Sequence, residues 1–119
     1  MARLMEMRRE ERETLDETAR MVVAILRHFG GKTRDEIRDE ARRAFREAIL
    51  PRPPVEVRTV TGSDGEPLEA TNLVGVFCIG LDGAGIDRAD PEAVERATAI
   101  VDAAITFELV TAISQQGRG

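Results

Sequence analysis

His28 is the one histidine and Cys78 the one cysteine in the chain, so the side chains that most often carry acid–base, nucleophilic or metal chemistry are present singly. One histidine and one cysteine cannot assemble a tetrahedral zinc site within one chain. A nucleophile–histidine dyad would need Ser63 or Ser114 beside His28, and sequence alone does not place them together. His28 falls in the last turn of a predicted helix, where an imidazolium complements the negative helix end, so a structural role is expected for it. Cys78 sits in an apolar run and reads as a buried core thiol that reacts slowly.

The remaining chemical lead lies between residues 80 and 90, G-L-D-G-A-G-I-D-R-A-D. Glycines at this place can cradle a phosphate, because free backbone N–H groups and a following helix dipole attract anions. The spacing Gly80-x-x-Gly83-x-Gly85 fits neither dinucleotide nor P-loop patterns, and Asp82, Asp87 and Asp90 put negative charge where phosphate would lie. Those aspartates lack the alternating ligands and terminal glutamate of a calcium loop, so a solvated acidic turn is expected, with no metal and no cofactor. If the chain is catalytic, Asp82, Asp87 and His28 are the candidate acid–base groups.

Nucleic acid is an unpromising partner. Arg38, Arg42, Arg43 and Arg46 share a predicted helix, but Asp35, Glu36, Asp39, Glu40 and Glu47 interleave with them, as on a solvated helix surface. The formal net charge is −5, and of the four phenylalanines, with no Trp or Tyr, three lie in apolar helical stripes or in the central apolar run, so none is expected to stack on bases. No segment approaches the ~20 apolar residues of a membrane span, and the start M-A-R-L-M-E-M has no apolar signal region. A cytoplasmic setting is expected, in keeping with the lone cysteine.

These residues must be positioned by a fold of about one domain, 1–119. Residues 3–29 are predicted helical, because Leu15, Ala19, Val22, Leu26 and Phe29 recur at spacings of three and four; the charged start Arg8–Glu13 points to solvent or a partner. Gly30-Gly31 ends this helix. Thr33-x-x-Glu36 is a capping box opening a second helix over 32–50, with Ile37, Ala41, Ala44, Phe45, Ala48 and Ile49 as its apolar stripe and prolines beyond. Val55–Val60 alternates as an edge strand with Val55 and Val57 inward, and residues 61–71 hold turn chemistry. Asn72–Leu81 is apolar at odd and even positions alike and is predicted to be a central strand buried on both faces, completing a β-hairpin over 55–81. Asp90-Pro91-Glu92 starts a last helix over 91–114, followed by a tail at 115–119.

The expected class is therefore α+β, in the order α-α-β-β-α. The last helix is apolar over a wide arc that includes Val101, Ile105 and Phe107, and a two-stranded sheet leaves edges open. Both features predict a homo-oligomer, at least a dimer, that extends the sheet or buries that helix. The leading functional expectation is a non-catalytic assembly protein, acting as a homo-oligomer or as a small subunit of a larger complex. A small oligomeric enzyme or ligand-binding protein using the 80–90 loop between chains comes second, and a helical DNA-binding regulator third.

Overall fold

The computed structural model describes the backbone of residues 2–117 and the side chains of residues 8–111. Its elements are α1 (Ala2–His28), α2 (Arg34–Ala48), β1 (Val57–Thr61), β2 (Pro67–Thr71), α3 (Leu73–Gly83) and α4 (Pro91–Gly117), an α+β chain of four helices and one antiparallel hairpin. Ser114 lies outside the described side chains.

The α1–α2 hairpin forms where the residue chemistry requires it. Gly30 and Gly31 adopt positive φ beyond α1. Thr33 then caps α2 reciprocally with Glu36: the Glu36 N–H donates to Thr33 Oγ1 at 3.2 Å, and the Thr33 N–H donates to Glu36 Oε1 at 3.0 Å. The Thr33 N–H on the carboxylate, and after it the Thr33 hydroxyl beside the carboxylate, hold the Glu36 carboxyl below its ordinary value of 4.5. Ile37, Ala41, Ala44, Phe45 and Ala48 turn inward from α2 against Leu15, Ala19, Val22, Val23 and Leu26 of α1. Phe29, expected in the same stripe, lies past the helix end and is exposed.

Helices α3 and α4 each pack against both α1 and α2. Ion pairs between Glu11 and Arg96 (3.1 Å) and between Arg20 and Glu108 (3.2 Å) align the start of α4 with the start of α1, so these helices run in the same direction. Helix α3 runs opposite to α1, with Leu73 near Leu26 and Gly83 against Thr14. Phe77 meets Phe45 edge to face at 5.3 Å between ring centroids, joining α3 to α2 in the core.

The segment 72–81 is a helix and not the expected central strand. An apolar run without alternation describes a buried helix as well as a buried strand, and Val74, Val76 and Ile79 favour strand only weakly. Two helix signals decide it. Asn72 is the N-cap, its Oδ1 accepting from the Gly75 N–H at 3.1 Å. At the other end Gly85 takes φ +71°, the Ile86 N–H donates to the Leu81 carbonyl at 3.0 Å, and the Gly85 N–H donates to the Asp82 carbonyl at 3.1 Å. This is a Schellman C-cap, closed by apolar contact between the positions of Leu81 and Ile86, both buried.

The hairpin consequently uses the residues between, with Val57 opposite Thr71 and Thr61 opposite Pro67. Its turn is closed by the Gly62 N–H on the Glu66 carbonyl at 2.8 Å. Every residue of β1 is exposed, so Val55 and Val57 do not face a core. The ribbon is tied to the helices through Asn72, which accepts from the Glu56 N–H (3.2 Å) and donates to the Pro54 carbonyl (3.0 Å) while capping α3.

Candidate functional site

The candidates read from the sequence do not meet. His28 ends α1, exposed, its ring edge-on to Phe29 at 5.8 Å. Asp82 lies beside the middle of that helix: its neighbour Gly83 faces Thr14, fourteen residues before His28, which at ~1.5 Å per residue is about 21 Å along the axis. The aspartates have local tasks. Asp82 pairs with Arg88 at 3.6 Å, and Arg88 Nε donates to the Ala48 carbonyl at 2.8 Å, closing the C-terminal end of α2. Asp87 accepts from the Ala89 N–H at 2.9 Å, and Asp90 accepts from the Glu92 N–H at 3.1 Å as the cap of α4. Among the described residues no three His, Cys, Asp or Glu side chains gather as a metal site.

The glycine loop does not cradle an anion either. It lies at the carbonyl end of α3, which carries the negative pole of the helix dipole, and Gly85 serves the left-handed cap rather than a phosphate. Cys78 belongs to α3 and is half-buried, its Sγ 3.9 Å from the Ala48 carbonyl oxygen. Of the arginines on α2, Arg38 pairs with Asp35 and Asp39, and Arg42 reaches Asp102 of α4 at 3.1 Å. No helix of the described residues is long and apolar enough to cross a membrane.

What the structure does present is apolar surface on its helices. Val101 and Ile105, expected on the surface of the last helix that pairs with a partner, are instead buried inside the chain, because α1 and α2 pack against that side of α4. The exposed remainder of α4 is a separate stripe, Ala99, Ala103, Phe107 and Val110, spaced by four, four and three residues. Phe107 is 58% exposed and Val110 53%. Beside them a groove of about 580 Å³ runs between α4 and α1, lined by Ala99, Ile100, Ala103 and Ala104 and rimmed by Arg12 and Asp16.

Phe107 is held in position. The Arg20 guanidinium carbon lies 6.0 Å from its ring centroid, and Arg20 itself bridges Asp16 (3.1 Å) and Glu108 (3.2 Å). Arg27 adds a bond to the Glu108 carbonyl at 2.8 Å. The sequence signal for this face is the set of apolar residues of α4 left over once the intramolecular stripe Ala93, Ala97, Val101, Ala104 and Ile105 is removed. A second apolar groove, of about 510 Å³, lies between the hairpin and the end of α1, lined by Ile25, Phe29, Val60 and Leu73 among others. No protein-family model matches the chain, and neither the curated proteins nor the solved structures contain a significant match to it.

Proposed function

We propose that this chain is a non-catalytic assembly protein, working as a homo-oligomer or as a small subunit of a larger complex, and that the α1/α4 face is its working surface. The observation that carries this reading is the exposed row Ala99, Ala103, Phe107 and Val110 beside an open groove. An aromatic anchor braced by neighbouring side chains, next to apolar floor and within a polar rim, has the anatomy of an interface hot spot. The rim is already ordered by ion pairs within the chain, so little side-chain freedom is lost on docking. The reading keeps the expectation drawn from the last helix but changes its surface, since the strand that was to extend a sheet is a helix covered by α1 and α2.

The test is co-purification from cells expressing the tagged chain, comparing the native sequence with Phe107→Arg after both are shown to fold by circular dichroism. A partner retained by the native chain and lost from the variant, whether a second copy or another subunit, supports the reading. Equal retention by both, or by neither, overturns it.

A further inference from the structure

We infer that the α1/α4 face pairs with the same face of a second copy of this chain, the two α4 helices lying antiparallel about a twofold axis that crosses them at Ala103. The inference rests on the assembly reading above and adds to it the partner and the register. Ala103 is the midpoint between Ala99 and Phe107. A twofold axis lying in the plane of the face and running across both helices reverses their direction while keeping the α1 side over the α1 side. Each Phe107 is then carried to the level of Ala99 on the other copy, on the groove side of α4. That is where the floor of Ala99, Ile100, Ala103 and Ala104 offers room. The face thus holds a knob and a matching hole, offset symmetrically about one residue, as an isologous contact requires. Alanine at 99 and 103 lets the two backbones approach closely at the crossing.

The charges agree with self-pairing. The chain carries −5 overall, but the rim of this groove holds two cations, Arg12 and Arg20, and two anions, Glu13 and Asp16. The antiparallel register brings Arg20 of each copy to the level of Arg12 and Glu13 of the other. Asp16 comes close to the axis already neutralised by Arg20 at 3.1 Å. The area also suffices. Glu92 to Val110 spans about 27 Å at ~1.5 Å per residue, and two helices side by side are about 20 Å across, roughly 540 Å² in plan. Side-chain relief brings this to roughly 600–700 Å² per copy, the lower part of the range for specific interfaces.

The experiment uses the full chain with Cys78→Ser to remove the native thiol. Ala103→Cys on that background should form a disulfide-linked dimer under mild oxidation, because the two positions meet at the axis, while Ser63→Cys on the exposed hairpin turn should not. Phe107→Arg should weaken self-association on the order of 10³-fold, since each dimer holds two copies of the anchor. Circular dichroism and melting temperature establish that each variant is folded. Self-association that Phe107→Arg weakens, but with no faster cross-linking at 103 than at 63, overturns this register and leaves the assembly reading standing, whereas self-association that Phe107→Arg does not change overturns both. A chain that stays monomeric while Phe107→Arg still abolishes capture of a different subunit overturns the second-copy partner in the same way.

Discussion

Adding a single methyl group at Gly80 tests the packing of α3 on α1. A Cβ built there would stand 2.7 Å from Thr18 Cγ2 and 2.9 Å from Thr18 Cβ, closer than carbon atoms can approach. Thr18 has little room to yield, being buried and with Oγ1 bonded to the Thr14 carbonyl at 2.7 Å. Its Cβ is fixed by the α1 backbone, so Gly80→Ala must push the two helices apart. Two effects oppose each other. Alanine in place of glycine inside a helix gains ~0.8–1.0 kcal/mol, whereas overpacking of this kind costs ~1–3 kcal/mol and also loosens Phe77 and Leu81 against Leu15. Because several Thr18 atoms would stand under 3.0 Å from the new methyl, the cost falls in the upper part of that range, ~2–3 kcal/mol, and the net expectation is a loss of ~1–2 kcal/mol, or roughly 4–8 °C in melting temperature for a chain of this size. Gly83→Ala is the internal control: its nearest contact would be Thr14 Cγ2 at an ordinary 3.5 Å, so the helix term should prevail and the variant should be neutral or up to ~1 kcal/mol more stable. Urea unfolding at fixed protein concentration reads both. If Gly80→Ala were as stable as the native chain, the close approach of α3 to α1 would be wrong, and with it the helical assignment of residues 73–83.

Three further outcomes follow from local chemistry. Asn72→Ala removes the α3 cap and the ties to Glu56 and Pro54, and should cost about 2 kcal/mol in urea unfolding because partly exposed groups recover some bonding from water; Asn72→Asp, which keeps the acceptor oxygens, should recover more than half. Asp90→Ala should lose about 1 kcal/mol with the α4 cap, whereas Asp82→Ala, which breaks only an exposed pair with Arg88, should lose less than ~0.5 kcal/mol; equal losses would contradict the division of roles. Glu36 has a folded-state pKa below its ordinary 4.5, so its charge stabilises the fold at all pH above that value and the contribution disappears as the pH falls through the lower folded-state value. Melting curves of the native chain and Glu36→Gln should therefore differ by a constant amount above about pH 5 and converge below pH 4.5; a gap that widens on acidification would have the wrong sign.

Much of the helical frame was legible because its signals are local. Thr33 and Glu36 announce α2, Asp90 and Pro91 announce α4, and the Leu15-to-Leu26 periodicity fixes the inward face of α1. The segment 73–83 was not legible from periodicity, because a helix surrounded by apolar neighbours leaves no polar stripe to set its phase. Its caps carried the information instead: Asn72 before it, and Gly85 followed by Ile86 after it. Misreading that run also displaced the hairpin, assigning its second strand, Pro67–Thr71, to a turn. The chemical candidates were legible as residue types but not as a site, since what separates His28 from Asp82 is about half the length of α1. The α1/α4 face could be sensed in the width of the apolar arc. Which part of that arc stays exposed depends on where α1 and α2 press against it, and this buries Val101 and Ile105 and leaves Phe107 and Val110 outside.

The most direct measurement of the central claim is mass in solution by sedimentation equilibrium over a concentration series from ~1 to ~300 µM, spanning the affinities expected of an interface of this size. Self-association through the α1/α4 face predicts a mass rising toward twice the 13.1 kDa of one chain, with Phe107→Arg remaining at the single-chain mass throughout. A native chain that stays at 13.1 kDa over the whole series and is indistinguishable from Phe107→Arg would contradict it.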